Sequence, residues 1–151
     1  MKTLFIMLIT LTYCMGISAV RVNNDYIVAN DEKTTCKKVN VKKNEVRVIC
    51  ENGMEKIIKK SDVTEFSKKG KTFVKLSVYK NQQLTDHTAF MELIRDVNGY
   101  KLYRTTIWTN EIPARNIDCF YVFNKDKFLF HTNEYDIPRT LKFFNIKFIE
   151  L

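Results

Sequence analysis

Cys119 and His131 are the residues of this chain whose types and spacing come closest to a catalytic pair. A hairpin that turns at Lys125 places His131 across from Cys119, and a thiol beside an imidazole is the pair that cysteine nucleophiles use. Phenylalanine and tyrosine surround both residues, as in a buried core, and the sequence offers neither an oxyanion hole nor a third orienting group. A thiol-dependent enzyme that uses Cys119 and His131 therefore stays an alternative, and we predict no catalytic residue.

The remaining polar side chains give no metal or cofactor motif. The other histidine, His87, follows Asp86 in a stretch typical of the polar start of a helix. The acidic residues Asp31, Asp62 and Asp118 lack the spacing of a calcium loop. No C-x-x-C pair suggests zinc. We predict neither a metal site nor a cofactor.

Aromatic residues concentrate between positions 100 and 130 and give a candidate binding surface. Side chains alternate between the two faces of a strand, so Tyr121 and Phe123 share a face with Cys119. If both faces of these strands are apolar, one is either covered by a helix or open to a ligand. In the open case we expect a glycan or protein partner to contact Tyr103, Trp108, Tyr121 and Phe123.

The positive charge gives a second candidate surface. The formal net charge is +8, and lysine is far more frequent than arginine. Such a protein suits an anionic polysaccharide, a nucleic acid or an anionic membrane surface, although short lysine runs beside turns are also typical of solvated loops. The residues of this polyanion alternative are Lys37, Lys38, Lys42, Lys43, Lys59 and Lys60.

Residues 1–19 have the three parts of an export signal. Lys2 supplies the positive end, residues 4–11 are apolar, and small residues lead up to Ala19. The apolar run is shorter than the about 20 residues that a helix needs to cross a bilayer. The pattern therefore predicts a signal peptide that is removed.

We expect cleavage between Ala19 and Val20. The mature chain, residues 20–151, then has no transmembrane segment, and we expect it in the periplasm, at the cell surface or outside the cell. Attachment of a lipid at Cys14 is the minor alternative, because the bulky Tyr13 precedes that cysteine.

Two registers are open to the hairpin that contains Cys36 and Cys50. A loop centred on Lys43 pairs the two cysteines directly, whereas a turn one residue later aligns the valines of both strands: Val39 and Val41 with Val48 and Val46. Because a one-residue slip exchanges the faces of a strand, we expect the valines to decide. This predicts that Cys36 points away from Cys50 and that no disulfide joins them.

The order of elements predicts an α+β fold in a single mature domain with two halves, about 20–80 and 81–151. The first half contains short β-branched segments between turns, of which Asn52-Gly53 is the clearest. We expect an N-terminal antiparallel sheet or a small open barrel.

A helix opens the second half in this interpretation. Residues 86–97 carry apolar side chains at helical spacing, and Asn98-Gly99 suits the end of that helix. Aromatic-rich strands follow, and Pro138 begins a short C-terminal helix whose apolar residues we expect to pack inward.

The stretch "DYIVANDEKTTCKKV", residues 25–39, resembles the opening of small exported proteins of unknown function that are common in Bacteroidota. Their pattern is G-Y-I-[VI]-x-N-x-x-D-T-x-x-G-x-I. The positions that fit are Tyr26, Ile27, Val28, Asn30, Thr34 and Val39, and those that differ are Asp25, Lys33 and Lys37. The resemblance implies export and a shared fold, and it carries no activity.

Together these features predict an exported, non-catalytic protein that acts through binding or structural interaction at the cell envelope. Its expected partner is a protein or a glycan. The two alternatives are a polyanion-binding protein and a thiol-dependent enzyme.

Overall fold

A computed structural model of the chain describes residues 24–109 and 114–148. The predicted signal, with Cys14 and the Ala19–Val20 cleavage position, lies outside the described residues. Within them are ten strands, a 3-10 turn at Lys60–Asp62 and one α-helix. The strands are β1 (Asp25–Ala29), β2 (Glu32–Val41), β3 (Glu45–Cys50), β4 (Glu55–Lys59), β5 (Val63–Lys68), β6 (Lys71–Lys80), β7 (Gln83–Val97), β8 (Tyr100–Thr109), β9 (Arg115–Asn124) and β10 (Lys127–Asn133), and the helix is α1 (Ile137–Phe143).

All the described strands belong to one antiparallel sheet, in the order β10-β9-β8-β7-β6-β5-β1-β2-β3-β4. Strands β1 to β4 form a meander, after which β5 returns to pair with the free side of β1. Strands β6 to β10 then continue as a second meander from β5. The antiparallel N-terminal strands are as predicted, and they are part of a larger sheet.

The prediction of an α+β fold is wrong, because the residues predicted to form a helix after the N-terminal sheet form the strand β7. Both faces of this strand are covered: Met91 and Leu93 pack on one side, and Ile94 and Val97 on the other. A strand buried on both faces does not show simple alternation of apolar and polar residues, so its periodicity is ambiguous.

A bulge in β7 produces the helix-like spacing. Leu93 pairs with Tyr103 and Arg95 with Leu102, which leaves Ile94 as an extra residue. An extra residue reverses the alternation of faces beyond it. Ile94 and Val97, three positions apart, consequently contribute to the same apolar cluster.

Asn98-Gly99 forms a hairpin turn between β7 and β8, and it does not end a helix. The φ angles are +53° at Asn98 and +81° at Gly99. Two-residue loops with positive φ at both positions match the right-handed twist of the strands they join. Four further hairpins turn in the same way, at residues 30–31, 69–70, 81–82 and 125–126.

The core has three apolar clusters. The first fills the N-terminal half, around Ile27, Val39, Val48 and Phe66. The other two lie on opposite faces of β7 to β9: one contains Leu102 and Val122 and is covered by α1, and the other contains Met91 and Tyr121. A sheet has two faces, and these clusters cover both faces of β7 to β9. This explains why these strands carry apolar side chains on both faces.

The second half of the sheet curls until β10 meets the β6–β7 hairpin. The ring of Tyr79 stacks on that of Phe128, with centroids 3.5 Å apart. The side-chain amide of Gln82 donates to the carbonyl of His131 (3.0 Å) and accepts from its N–H (3.1 Å). Gln82 therefore satisfies backbone groups at one point on this sheet edge, as a neighbouring strand would.

The C-terminal helix α1 is confirmed, with Pro138 in its first turn. Ile137 and Leu141 are buried against the sheet. The expectation that Phe143 and Phe144 pack inward is wrong, since their exposed fractions are 82% and 48%. Within the described residues, no helix is long and apolar enough to cross a membrane.

The valine register of the β2–β3 hairpin is confirmed: Val39 pairs with Val48, and Val41 with Val46. The inference that Cys36 points away from Cys50 is wrong. A bulge at Lys37 shifts the register beyond Lys38 and places the two cysteines directly opposite each other. The bulge adds one residue to β2, so both alignments occur in one hairpin.

The contrast between a buried and an exposed residue on β7 gives a stability prediction. Met91 is fully buried at its centre, whereas Leu84 on the same strand is 63% exposed. We expect Met91→Ala to lower the free energy of unfolding by about 2–5 kcal/mol. Leu84→Ala is expected to change it by no more than about 0.5 kcal/mol. Urea denaturation measures both, and equal effects would contradict this placement of β7.

Candidate functional site

A groove of about 650 Å³ lies where the β2–β3 loop, the 3-10 turn and strands β6 and β7 meet. Four lysines line it, and we call it the lysine groove: Lys43, Lys59, Lys60 and Lys75 around Phe90. The lysines come from three parts of the chain: Lys43 from the β2–β3 loop, Lys59 and Lys60 from the end of β4 and the turn that follows it, and Lys75 from β6. The site therefore exists only in the folded sheet.

Local structure explains how the lysines reach this position. The 3-10 turn follows β4 directly, and the N–H of Lys60 donates to the carbonyl of Asn44 in the β2–β3 loop (3.1 Å). This hydrogen bond holds Lys60 beside the loop that carries Lys43. The ammonium of Lys75 on β6 donates to the carbonyl of Ser61, which fixes the opposite wall.

The electrostatics of the groove are one-sided. Of the described residues that line it, none is acidic. Among the ion pairs of residues 24–109 and 114–148, none involves one of the four groove lysines. Unpaired ammonium groups concentrated in a concave site raise the local concentration of anions.

The nearby carboxylates have other partners. Glu45 lies opposite Lys59 in the β3–β4 ladder, but it accepts from the guanidinium of Arg47 at 2.6 Å. Asp62 accepts from the hydroxyl of Ser61 at 2.7 Å. Neither side chain therefore enters the lining of the groove.

Phe90 gives the groove an apolar floor. Its ring packs edge-on against Phe66, with centroids 5.0 Å apart, and so it is anchored in the N-terminal core. The ammonium groups of Lys60 and Lys75 lie 5.9 and 5.7 Å from the ring centroid. An aromatic ring beside two cations can contact a flat group of an anionic ligand while the cations bind its charge.

The structure divides the six lysines predicted for polyanion binding. Lys43, Lys59 and Lys60 meet in the lysine groove. Lys38 and Lys42 line a smaller hollow of about 190 Å³, which also contains Glu55. The sixth, Lys37, is exposed at the bulge of β2 and lines neither site.

Lys75 and Phe90 were not among the predicted site residues. Phe90 belongs to β7, which the sequence pattern assigns to a helix, and Lys75 is the one charged residue within the mainly apolar run 73–79 of β6. A lysine in the middle of an apolar run is the one signal in the sequence that points to it. The position of Phe90 depends on the pairing of β6 with β7, where it lies opposite Lys75.

The four aromatic residues of the predicted ligand surface do not form a surface. Tyr103, Tyr121 and Phe123 belong to the buried cluster around Met91, with exposed fractions of 5%, 3% and 8%. Trp108 is 63% exposed near the end of β8. The curl of the sheet covers the first three, while α1 covers the opposite face.

Cys119 and His131 do not lie opposite each other. The two-residue turn at Lys125-Asp126 and a bulge at Leu129 shift the register, so that His131 pairs with Tyr121 and Cys119 with Asn133. The prediction that His131 lies opposite Cys119 is therefore wrong, because it assumed a turn centred on Lys125 and did not include the bulge.

The electrostatics of these two residues also oppose thiol catalysis. Burial, together with the charges of Asp118 and Glu134, raises the pKa of the Cys119 thiol. Burial lowers the pKa of His131. A reactive cysteine needs a lowered thiol pKa, which a neighbouring imidazolium provides. The geometry therefore gives no support to the thiol-enzyme alternative.

A second charged cluster stabilises the sheet. Burial disfavours the ionised form of Glu92, but hydrogen bonds from Arg104 and Lys71 outweigh this effect and lower its pKa. Arg104 also lies 3.5 Å from Asp118. Each charge in the cluster has an opposite partner, as in a structural ion network. In the described part of the chain, no group of three or more His, Cys, Asp or Glu side chains could hold a metal ion.

His131 gives a prediction about pH. Its Nδ1 is buried without a hydrogen-bond partner among the described residues, and burial holds its pKa below the ordinary value of about 6.5. Between the two values the unfolded chain binds more protons, so this contribution to stability is complete above about pH 6.5 and falls as the pH decreases.

We expect His131→Gln to reduce the loss of stability between pH 7.5 and pH 5.5, as measured by urea denaturation. His87→Gln is the matched control, because the side chain of His87 is 80% exposed. The ion pair of His87 with Asp86 (3.4 Å) is exposed, so its loss in the control changes stability little. Equal losses in the two variants would exclude this role for His131.

Comparisons of the chain with protein-family models, with curated proteins and with solved structures find no match. The lysine groove thus carries the functional argument through its own geometry. It combines a concave shape, four lysines that take part in no ion pair of the described residues, and an aromatic ring.

Proposed function

We propose that this protein is a non-catalytic binding protein for anionic polymers and that the lysine groove is its binding site. The observation that carries the proposal is the convergence of four lysines on one cavity whose described lining contains no carboxylate. The ligand class is a polymer with phosphate or sulfate groups along a flexible backbone.

The chemistry of lysine favours this class. An ammonium group is a compact charge with three donors, and it binds phosphate or sulfate oxygens without the planar geometry that arginine imposes. Lys43 and Lys59 are exposed and can follow a flexible ligand, whereas Lys60 and Lys75 are partly buried beside Phe90. The groove thus combines adaptable cations with a fixed aromatic ring.

The aromatic floor supports a polymer with flat units between its charges. Basic grooves that bind single-stranded nucleic acids place bases on aromatic rings and neutralise the backbone with cations. A sulfated sugar offers the same combination of charge and a flat apolar face. Phosphate and sulfate polymers therefore share the chemistry that the groove recognises.

The proposal includes export. The tripartite pattern of residues 1–19 supports it, and an exported basic protein meets anionic polysaccharides and released nucleic acids at the cell envelope. Binding to such polymers is the specific form of the predicted envelope interaction.

Substitution of two groove lysines tests whether the groove is the binding site. We expect Lys43→Gln/Lys60→Gln to weaken binding of a labelled thymidine 12-mer and of a heparin octasaccharide in fluorescence titrations. For the oligonucleotide, loss of two phosphate contacts should reduce the slope of log affinity against log salt by about 1.4.

The control is Lys37→Gln/Lys38→Gln, which removes the same charge from exposed positions outside the groove. It should leave the affinity within about twofold, because screened charges at the surface contribute little. If both double variants lose affinity equally, the protein binds through its net charge and the groove is not the site. The two probes separate a preference for phosphate from one for sulfate.

Export is tested by the intact mass of the protein recovered from its own cells. Cleavage before Val20 should give a chain that begins at that residue, without Cys14. A chain beginning at Cys14 with acyl groups would instead identify a lipoprotein. Retention of residues 1–19 would contradict export, and it would leave the groove proposal to its own test.

A further inference from the structure

Cys36 and Cys50 face each other across the β2–β3 hairpin. They are directly paired in the register, and each lies in the interior, with exposed fractions of 0% and 9%. Both are free thiols in the structure. The bulge at Lys37 produces this arrangement, since the valine register alone would place them on opposite faces.

The backbone hydrogen bonds of Cys50 show whether it and Cys36 form a hydrogen-bonded or a non-hydrogen-bonded pair of the antiparallel ladder. The N–H of Cys50 donates to the carbonyl of Met54, and its carbonyl accepts from the N–H of Gly53 (2.9 Å each). Both polar groups of Cys50 therefore point towards β4 and away from β2. In an antiparallel ladder, Cys36 and Cys50 thus form a non-hydrogen-bonded pair.

This type of pair suits a disulfide. Opposite residues at a non-hydrogen-bonded position have Cα atoms about 4.5 Å apart, and their side chains lie closer than at the alternate position. A disulfide spans Cα separations of about 4.4–6.8 Å. The register of Cys36 and Cys50 therefore gives the type of pair whose ordinary Cα separation lies within the range that a disulfide spans.

We propose that Cys36 and Cys50 form an intramolecular disulfide when the protein meets an oxidising disulfide, and that this bond locks the β2–β3 hairpin. The inference does not depend on the binding role of the lysine groove. It extends that role, because the loop between β2 and β3 carries Lys43 and the backbone carbonyl that holds Lys60.

The exchange proceeds in two balanced steps. The thiolate of Cys50, the more exposed of the two, attacks one sulfur of the external disulfide and releases one thiol. Cys36 then loses its proton and attacks the sulfur of Cys50, which releases the second thiol. Two protein thiols are oxidised to one disulfide, and one external disulfide is reduced to two thiols.

The order of attack follows from the surroundings of Cys36. Burial, with the nearby charges of Asp25 and Cys50, raises the pKa of Cys36 to about 11. Cys36 therefore remains a thiol near neutral pH and does not begin the reaction. Once Cys50 is joined to the external thiol, the sulfur that Cys36 must attack lies directly across the ladder.

The remaining described cysteine is an internal control. Cys119 lies on β9 and packs in the cluster around Met91, whereas Cys36 belongs to the cluster of the N-terminal half. The residues that lie opposite Cys119 in the sheet are Asn133 on β10 and Thr105 on β8, and neither is a cysteine. Cys119 is therefore expected to stay a thiol under conditions that oxidise the hairpin.

The test is refolding of the full chain from urea in a buffer of reduced and oxidised glutathione, followed by alkylation and trypsin digestion. Trypsin separates the two cysteines into the peptides 34–37 and 48–56. We expect these peptides to be joined, with a mass two hydrogens below their sum, and we expect Cys119 to be alkylated.

Denaturation in urea gives an independent readout. Closing a loop of about 15 residues should raise the folding equilibrium constant about a hundredfold. This gain should require the oxidised buffer, disappear in Cys50→Ser and remain in Cys119→Ser. Because each variant is compared with itself in reduced buffer, any cost of the substitution to folding cancels.

Three results would overturn the proposal. Cys36 and Cys50 could both remain fully alkylated after oxidative refolding of a chain that has regained its native spectrum. The linked peptide could contain Cys119. The disulfide could form and lower the urea midpoint, which would show that the folded hairpin does not accommodate it.

Discussion

The structure depends on the need to pair the backbone N–H and C=O groups of ten strands while covering both faces of one sheet. Antiparallel pairing satisfies the ladder, and five two-residue turns with positive φ keep its strands in sequence order almost throughout. The faces are harder to cover, because the described chain has a single helix. The sheet solves this by curling, so that one face closes on itself and α1 covers part of the other. Three separate apolar clusters are the result.

Bulges within the strands determine which residues of the sequence lie opposite each other in the curled sheet. Extra residues at Lys37, Ile94 and Leu129 change the register of a ladder within a strand, and each alters which side chains meet. The bulge at Lys37 brings Cys36 to Cys50, whereas the bulge at Leu129 adds to the shift by which the turn at Lys125-Asp126 already separates His131 from Cys119. For Cys36 and Cys50, a single inserted residue thus decides whether two thiols are partners. The lysine groove follows from topology in a similar way, since the return of β5 to β1 brings the turn after β4 beside β6 and β7.

Sequence reasoning succeeded where local chemistry dominates. The N-terminal strands, the Pro138 helix and the valine alignment of β2 with β3 follow from alternation, turn residues and the fixed φ of proline. It failed for β7, whose apolar residues satisfy two faces and a bulge together and so imitate helical spacing. Asn98-Gly99 carried the correct signal for a hairpin, and it was ambiguous because the same dipeptide also ends helices. Half of the predicted lysines lie in the groove, while Lys75 and Phe90 entered it through the pairing of β6 with β7.

The sequence by itself determined the positive charge, the export signal pattern, the turns and the residues available to the core. Only the tertiary structure decided which aromatic residues are buried and which lysines converge. It also decided that Cys36 and Cys50 are neighbours. The physical reason is that charge and turn preference are properties of one or two residues, whereas burial and convergence depend on strands far apart in the chain. Tyr103, Tyr121 and Phe123 look like a binding surface in the sequence, and the curl of the sheet makes them part of the core.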